Sequence, residues 1–291
     1  MPRSAMAAGV VDVVQAAGQM SEPLRSYART LTKPLQPLSD SDKSQTLRKI
    51  FILLRDRTGN DFALYKENTI HRRVERRMNL HQIEHVRQYL QFVLANPHEL
   101  DALFQELLIG VTSFFRDPQA FEALAHNGLP ALLEGKPEAA TLRVWVAGCS
   151  TGEEAYSLAI LIREYVAQRK LRLSVQIFAS DLDSRAIEQA RAGLYPVGIA
   201  GDIAPERLQR FFTKEDSSYR VKKEIRDLVV FATHNLLTDA PFTKLDLLSC
   251  RNLLIYLEAK AQHKILPLFH YSLKSNGILF LGSSETIGGF E

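Results

Sequence analysis

Between Ser41 and Arg57 apolar residues recur at helical spacing (Leu47, Ile50, Phe51, Leu54), and Thr58-Gly59 supplies a stop. The periodicity continues over about 66–79, 82–95 and 98–109, which predicts an all-α unit. Ahead of it, Pro34 and Pro37 in "TKPLQPLSD" break any helix, and the polar residues around them read as a linker. In "FFRDPQAFEAL", Asp117 stands where an N-cap belongs and Pro118 at the first helical position, so a further helix is expected to open there.

After Gly135 the texture changes. Short apolar runs alternate with amphipathic helices: "LRVWVAG", a helix over 153–169, "VQIFASD", a helix over 184–193, "LVVFATHN", "LDLLSC", a helix over 258–274, an Asn276-Gly277 turn, and "ILFLGSS". Such alternation predicts an α/β unit, a parallel sheet with helices on both faces. In that architecture ligands sit beyond the carboxyl ends of the strands, where strand order reverses. Residues 195–227 lack the alternation and read as a small inserted β or irregular subdomain.

Composition narrows the chemistry without naming it. The 291 residues are long enough for two domains, and the net charge of +3 is too mild for wholesale nucleic-acid binding. No run approaches the ~18 apolar residues of a membrane helix, and no signal-peptide core opens the chain, so a cytoplasmic protein is expected. Cys149 and Cys250 lack the spacing of a zinc site or a disulfide framework and read as buried thiols; no metal site is expected.

The turn "GCSTGEE" after the first apolar run carries the most information. It matches neither G-x-G-x-x-G nor the phosphate-binding G-x-x-x-x-G-K-S/T, and a phosphate would compete with Glu153 and Glu154 for the positive end of the helix. Gly148 to Gly152 does match G-x-S-x-G, so Ser150 as an acyl-transfer nucleophile is a rival reading. Against it, the last histidine, His270, falls in a helical segment, and two carboxylates beside an oxyanion would oppose the charge to be stabilised. A cationic ligand without phosphate fits better. S-adenosyl-L-methionine combines a sulfonium, an ammonium, a ribose and an adenine, and Asp181, ending "VQIFASD", stands where an acid accepts from ribose hydroxyls. Asp183 reads as a helix N-cap.

"TSFFRD", "VWVAGCSTGEEAYSLAI", "ASDLD", "HNLL" and "CRNLLIYL", in this order, resemble the CheR-type chemotaxis receptor methyltransferases over roughly residues 41–287. The resemblance implies a Rossmann-like S-adenosyl-L-methionine-dependent methyltransferase sheet preceded by a small all-α domain, with a small β insertion. It implies transfer of methyl groups to glutamates of chemoreceptors, S-adenosyl-L-homocysteine as product, and the receptors' cytoplasmic coiled coil as partner. Residue by residue it implies cofactor contacts at Thr112, Arg116, Glu154, Asp181, Asn235, Leu236, Arg251 and Asn252. Arg116 and Tyr256 would hold the substrate carboxylate. Gly110 departs from the pattern, since many relatives carry Asn there. A module that binds the cofactor without turnover remains the second alternative.

The organisation expected is a methylesterase-like remnant over 1–33, a linker over 34–40, a helical domain over 41–117 and a methyltransferase domain over 118–291 that holds the 195–227 insertion. The first of these rests on a resemblance of the opening residues to the C-terminal end of CheB-type methylesterases, implying a fragment of a fused signalling protein. Relatives continue past "SSETIGGF" into a β-hairpin, so an open sheet edge is expected beside "ILFLGSS". The insertion's "FFTKEDSSYRVKKEI" lacks the Gly-containing loop with which some relatives tether a receptor tail, so no tethering is expected. Finally, "YKENTIHRRVERRM" sets Arg72, Arg73, Arg76 and Arg77 on one helix, a cationic ridge suited to Glu-rich receptor coiled coils.

Overall fold

The computed structural model describes residues 15–21, 24–25, 40–108 and 110–288. The chain divides into two compact units, Met1–Leu107 and Leu108–Glu291. The expected remnant and linker lie largely outside the described residues.

The first unit carries helices α1 (Asp40–Thr58), α2 (Glu67–Leu80), α3 (Val86–Ala95) and α4 (His98–Leu107). Their apolar stripes close on a core that includes Ile50, Leu54, Ile70, Tyr89 and Leu103. The helix expected from residue 82 starts only at Val86. Gln82 is left-handed (φ 56) and the Ile83 N–H reaches back to the Met78 carbonyl at 2.9 Å, which stops α2 and delays α3.

In the second unit α5 (Pro118–Ala123) passes through a π-turn (Leu124–Gly128) into α6 (Leu129–Leu133). There follow β1 (Thr141–Ala147), α7 (Glu153–Gln168), β2 (Ser174–Asp181), α8 (Ser184–Ala192), β3 (Leu194–Pro196), α9 (Pro205–Phe211), β4 (Phe212–Glu215), β5 (Ser218–Val221), α10 (Lys223–Arg226), β6 (Val229–Thr233), β7 (Leu245–Cys250), α11 (Ala259–Ser272) and β8 (Leu273–Leu281). The main sheet is parallel throughout, in the order β6-β2-β1-β7-β8. The central strands β1 and β7 are buried almost end to end, which is why they read as continuous apolar runs. Among the described residues β8 is the last strand of this sheet.

The insertion forms a three-stranded antiparallel sheet in the order β3-β5-β4. Two local expectations change. Asn276-Gly277 is not a turn before the last strand; it lies in a bulge within β8, whose pairing jumps from Leu245 with Leu273 to Leu247 with Ile278. Asp117 does hold the N-cap position with Pro118 opening the helix, and its carbonyl accepts from the Ala120 N–H at 2.9 Å, but its backbone is left-handed (φ 60) and its side chain makes no capping bond, the carboxylate being engaged by Arg251 instead. The division between units falls ten residues ahead of position 117, because Phe114 and Phe115 are buried in the core of the α/β unit.

Candidate functional site

Chain order reverses between β1 and β7, with β2 and β6 to one side and β8 to the other, so the crevice opens beyond the carboxyl ends of β1, β2 and β7. The turn leaving β1 is pinned to β2 by Gly148 and Cys149 N–H groups, which donate to the Ser180 carbonyl at 2.8 and 3.0 Å. It then needs left-handed backbone at Gly148, Ser150 and Gly152 (φ 74, 47 and 95). A Cβ on Gly152 would lie 2.8 Å from that of Ala190, so the position is closed to side chains.

Asp181 is the hinge between this turn and β2. Its carboxylate accepts from the Ser150 N–H at 2.7 Å and from the Asp183 N–H at 2.9 Å. Burial pushes its pKa up, against the pull of those backbone donors. Asp183 caps α8 as expected, accepting from the Arg185 N–H at 2.9 Å.

Glu154, one residue into α7, faces the end of β7. Its Oε1 accepts from Ser249 Oγ at 2.6 Å, while Arg251 Nη1 stands 3.4 Å from Oε2. Burial raises its pKa; Arg251 and Ser249 pull the other way, and Glu285 adds to the rise. Burial raises the pKa of Cys149 too, and the charges of Asp181 and Glu154 add to the rise.

Arg251 is the buried cation of the site, its side chain wholly excluded from solvent. Its Nη2 donates to the Arg116 carbonyl and to Asp117, each at 2.9 Å, and its guanidinium packs against the rings of Phe121 (5.2 Å) and Phe280 (4.9 Å), which meet each other edge to face. The "TSFFRD" segment is thereby tied to the end of β7. Arg116 folds back on its own segment, its Nη1 donating to the Val111 carbonyl at 2.8 Å. Thr112 is half-buried on the same segment.

Asn235 and Leu236 follow β6, whose last residue Thr233 pairs with Asp181, and the His234 N–H donates to the Asp181 carbonyl at 2.9 Å. Asn235 Oδ1 accepts from the Leu237 N–H at 2.9 Å, which fixes this loop beside the end of β2. Asn252 is left-handed (φ 60), and Tyr256 closes the 3-10 turn that follows it. The fold thus brings Glu154, Asp181, Arg251, Asn252 and the Asn235-Leu236 loop to one end of one sheet.

The serine-nucleophile reading fails here. Ser150 Oγ is buried without a hydrogen-bond partner, so no imidazole activates it. The glycine departure at 110 belongs to the same spot, since a Cβ there would lie 3.3 Å from Ser150 Oγ.

Four residues escaped the sequence reading. Ser249 positions Glu154; Ser157 Oγ accepts from the Phe115 N–H at 2.9 Å; Tyr195 of the insertion donates to the Thr151 carbonyl at 2.7 Å; and Glu285 binds the loop after β7. Only Glu285 carried a signal, an acid four residues beyond the end of a strand, where Asp181 is the strand's last residue.

A glycine-bearing turn at the switch point of a parallel sheet, with carboxylates where a phosphate loop would be, is the arrangement of a Rossmann-like methyltransferase. Its donor set fits S-adenosyl-L-methionine: carboxylates for a cation and a ribose, small residues for close approach, and an unpartnered buried hydroxyl at Ser150. The family is more specific. Residues 110–291 match the CheR methyltransferase SAM binding domain, and residues 45–108 match the CheR all-alpha domain. The chain belongs to the CheR methyltransferase family, S-adenosyl-L-methionine-dependent methyltransferases.

The chain is 33% identical over 249 residues to the chemotaxis protein methyltransferase of Salmonella typhimurium, covering 82% of each. It is 32% identical over 255 residues to that of Escherichia coli, covering 84% of this chain and 85% of the relative. It is also 44% identical over 227 residues to an uncharacterized 104.1 kDa protein of Rhodobacter capsulatus, covering 78% of this chain but only 24% of that protein. Among solved structures it is similar to a SAM-dependent methyltransferase from Thiobacillus denitrificans, with a TM-score of 0.31 and 16% identity over 56% of this chain and 47% of that one.

Three of the four arginines of α2 have carboxylate partners inside their own unit. Arg77 Nε and Nη2 donate to Glu99 at 2.8 and 2.7 Å, and Arg73 and Arg76 share Glu106 at 3.2 and 3.0 Å. Arg72 is exposed.

Proposed function

We propose that this chain transfers methyl groups from S-adenosyl-L-methionine to glutamate side chains in the cytoplasmic coiled coil of chemoreceptors. The observation that carries the reading is the pair of buried carboxylates, Glu154 and Asp181, held around the turn after β1 with pKa values above the usual carboxylate range. Both become more easily ionised when a cation arrives. The cofactor supplies an electrophilic methyl group on a positively charged sulfur.

The protein's own part is binding and orientation. Asp181 holds the turn through Ser150 and offers an acceptor to ribose, and Glu154 places negative charge at the end of β7. Arg251 locks the "TSFFRD" segment, which carries Thr112 and Arg116, against that end. A substrate glutamate has an ordinary pKa near ~4.3 and is ionised at neutral pH, so it attacks without a general base. Arg116 and Tyr256 hold that carboxylate in line with the methyl group, and the rate comes from positioning. Carboxylate and sulfonium lose their charges together, so a site that strongly stabilised the separated ions would slow the step.

Receptor docking through α2 belongs to this proposal, with Arg72 and the outer part of Arg73 as contact points. So do a cytoplasmic location and fusion to other signalling domains in the full-length protein. The sequence similarity to the much longer Rhodobacter protein supports the last point. Among the described residues no helix is long and apolar enough to cross a membrane.

The test is incubation of the chain with methyl-labelled S-adenosyl-L-methionine and a receptor coiled-coil fragment. Base-labile label on receptor glutamates is expected, and Arg72→Glu with Arg73→Glu should slow labelling while cofactor affinity stays unchanged. Cofactor binding without any transfer would leave a non-catalytic binding module in its place.

A further inference from the structure

The strand end that carries Arg251 has an unusual problem of backbone satisfaction. After Cys250 the chain leaves the sheet, and the N–H groups of Asn252, Leu253 and Leu254 lose the ladder while remaining partly buried. All three are taken by one side chain. Glu285 Oε1 accepts from Leu253 and Leu254 at 2.8 Å each, and Oε2 accepts from Asn252 and from Gly282, again at 2.8 Å each. Four charge-assisted bonds to one carboxylate make a strong anchor, because only an ionised acid offers acceptors in every direction.

The carboxylate reaches this position from the neighbouring strand. Cys250 on β7 pairs with Leu281 on β8, and a turn closed by the Glu285 N–H to the Gly282 carbonyl (3.0 Å) swings the side chain over the end of β7. Gly282 leaves room for it: a Cβ there would stand 2.8 Å from Glu285 Oε2 and 3.2 Å from the Asn252 nitrogen. The loop so held includes a left-handed Asn252, a conformation that residues other than glycine adopt at a cost and that outside support favours.

We infer that Glu285 is a positioning residue for the cofactor site: it binds four backbone N–H groups around the end of β7 and so fixes Arg251, Asn252 and the turn leading to Tyr256 in their working places. It acts through the loop. A role confined to stability would leave the folded site's affinity intact, whereas positioning alters affinity in protein that is fully folded.

The experiment is calorimetric titration of the chain with S-adenosyl-L-methionine and with S-adenosyl-L-homocysteine, at a temperature where circular dichroism shows parent and variants folded. Glu285→Gln puts an amide donor against backbone donors and should weaken both ligands by a similar factor, about tenfold or more. Glu285→Asp, an acceptor on a shorter arm, should fall between Gln and the parent. Gly282→Ala leaves the acid in the sequence but pushes it from its seat, and should weaken binding in the same direction. It keeps the test open if Glu285→Gln does not fold. Parent-like affinity in the folded variants, whatever their melting temperatures, would overturn the inference; so would a loss confined to the sulfonium ligand, which would mean that Glu285 acts by charge on the ligand. Because the readout is cofactor affinity, the result is independent of which group accepts the methyl.

Discussion

The two ends of β7 treat buried carboxylates in opposite ways. At the amino end Asp246 accepts from Lys136 Nζ at 2.6 Å, Lys274 Nζ at 2.9 Å and the Arg143 N–H at 2.8 Å. Burial alone would raise its pKa, yet these donors together hold it below the usual range. At the carboxyl end Glu154 has one short bond from Ser249 and a distant Arg251 that is shared with Asp117 and the Arg116 carbonyl, and its pKa is raised. The helical unit repeats the first pattern. Burial acts on Glu99 too, but Arg77, Tyr89 and His81 supply enough donors to bring its pKa down. A carboxylate with its cations already in place holds structure together. One buried with too few is, on the proposed reading, kept for a charge that arrives from outside.

Removing Asp246 should break this contrast in the direction of stability. Asp246→Ala leaves Lys136 and the Arg143 N–H without their acceptor, and an unfolding free energy lower by about 2–3 kcal/mol is expected, the partly exposed lysines limiting the loss. Urea denaturation measures it, and cofactor affinity of the folded variant should be unchanged. Asp181→Ala should do the reverse: affinity for S-adenosyl-L-methionine falls about a hundredfold by calorimetry, since the anchor of Ser150 and the ribose acceptor proposed for this residue are both lost, with a smaller change in stability.

Acid separates the two groups further. Asp246 and Glu99 have folded-state pKa values below their unfolded ones, so their stabilisation is full above the unfolded values, near ~4, and is lost only as pH falls through the lowered range. Glu154 and Asp181 are shifted up, so their ionised forms are lost at higher pH. Cofactor affinity should therefore decline on acidification while circular dichroism still reports native protein. Simultaneous loss of binding and fold would remove the distinction. The smallest effect is expected from Tyr195→Phe, which deletes one bond from the insertion to the Thr151 carbonyl. Affinity about two- to fivefold weaker is consistent with one neutral hydrogen bond.

Much of this was legible in the order of residues. Periodicity located the helices and the parallel sheet because α1 and α8 bury one face and β1 and β7 bury both. The acids after β1 and β2 were visible because a strand end at a switch point is where a ligand meets the chain. What stayed hidden depends on side chains arriving from distant positions. Nothing local distinguishes Asp117 as an N-cap from Asp117 as a partner of Arg251, 134 positions away. The arginines of α2 looked like a free ridge because Glu99 and Glu106 belong to another helix. Glu285 was passed over because its acceptors' worth is set by the loop after β7, not by its neighbours in sequence.

The central claim is that the crevice beyond β1 and β2 is negatively charged in reserve and completed by a cation. Calorimetric titration of the chain with S-adenosyl-L-methionine in two buffers of different ionisation enthalpy, at the acid edge of the folded range, counts the protons exchanged on binding. Net proton release is expected, reduced in Glu154→Gln and again in Asp181→Asn. Binding with no proton release, or with proton uptake, would contradict the account.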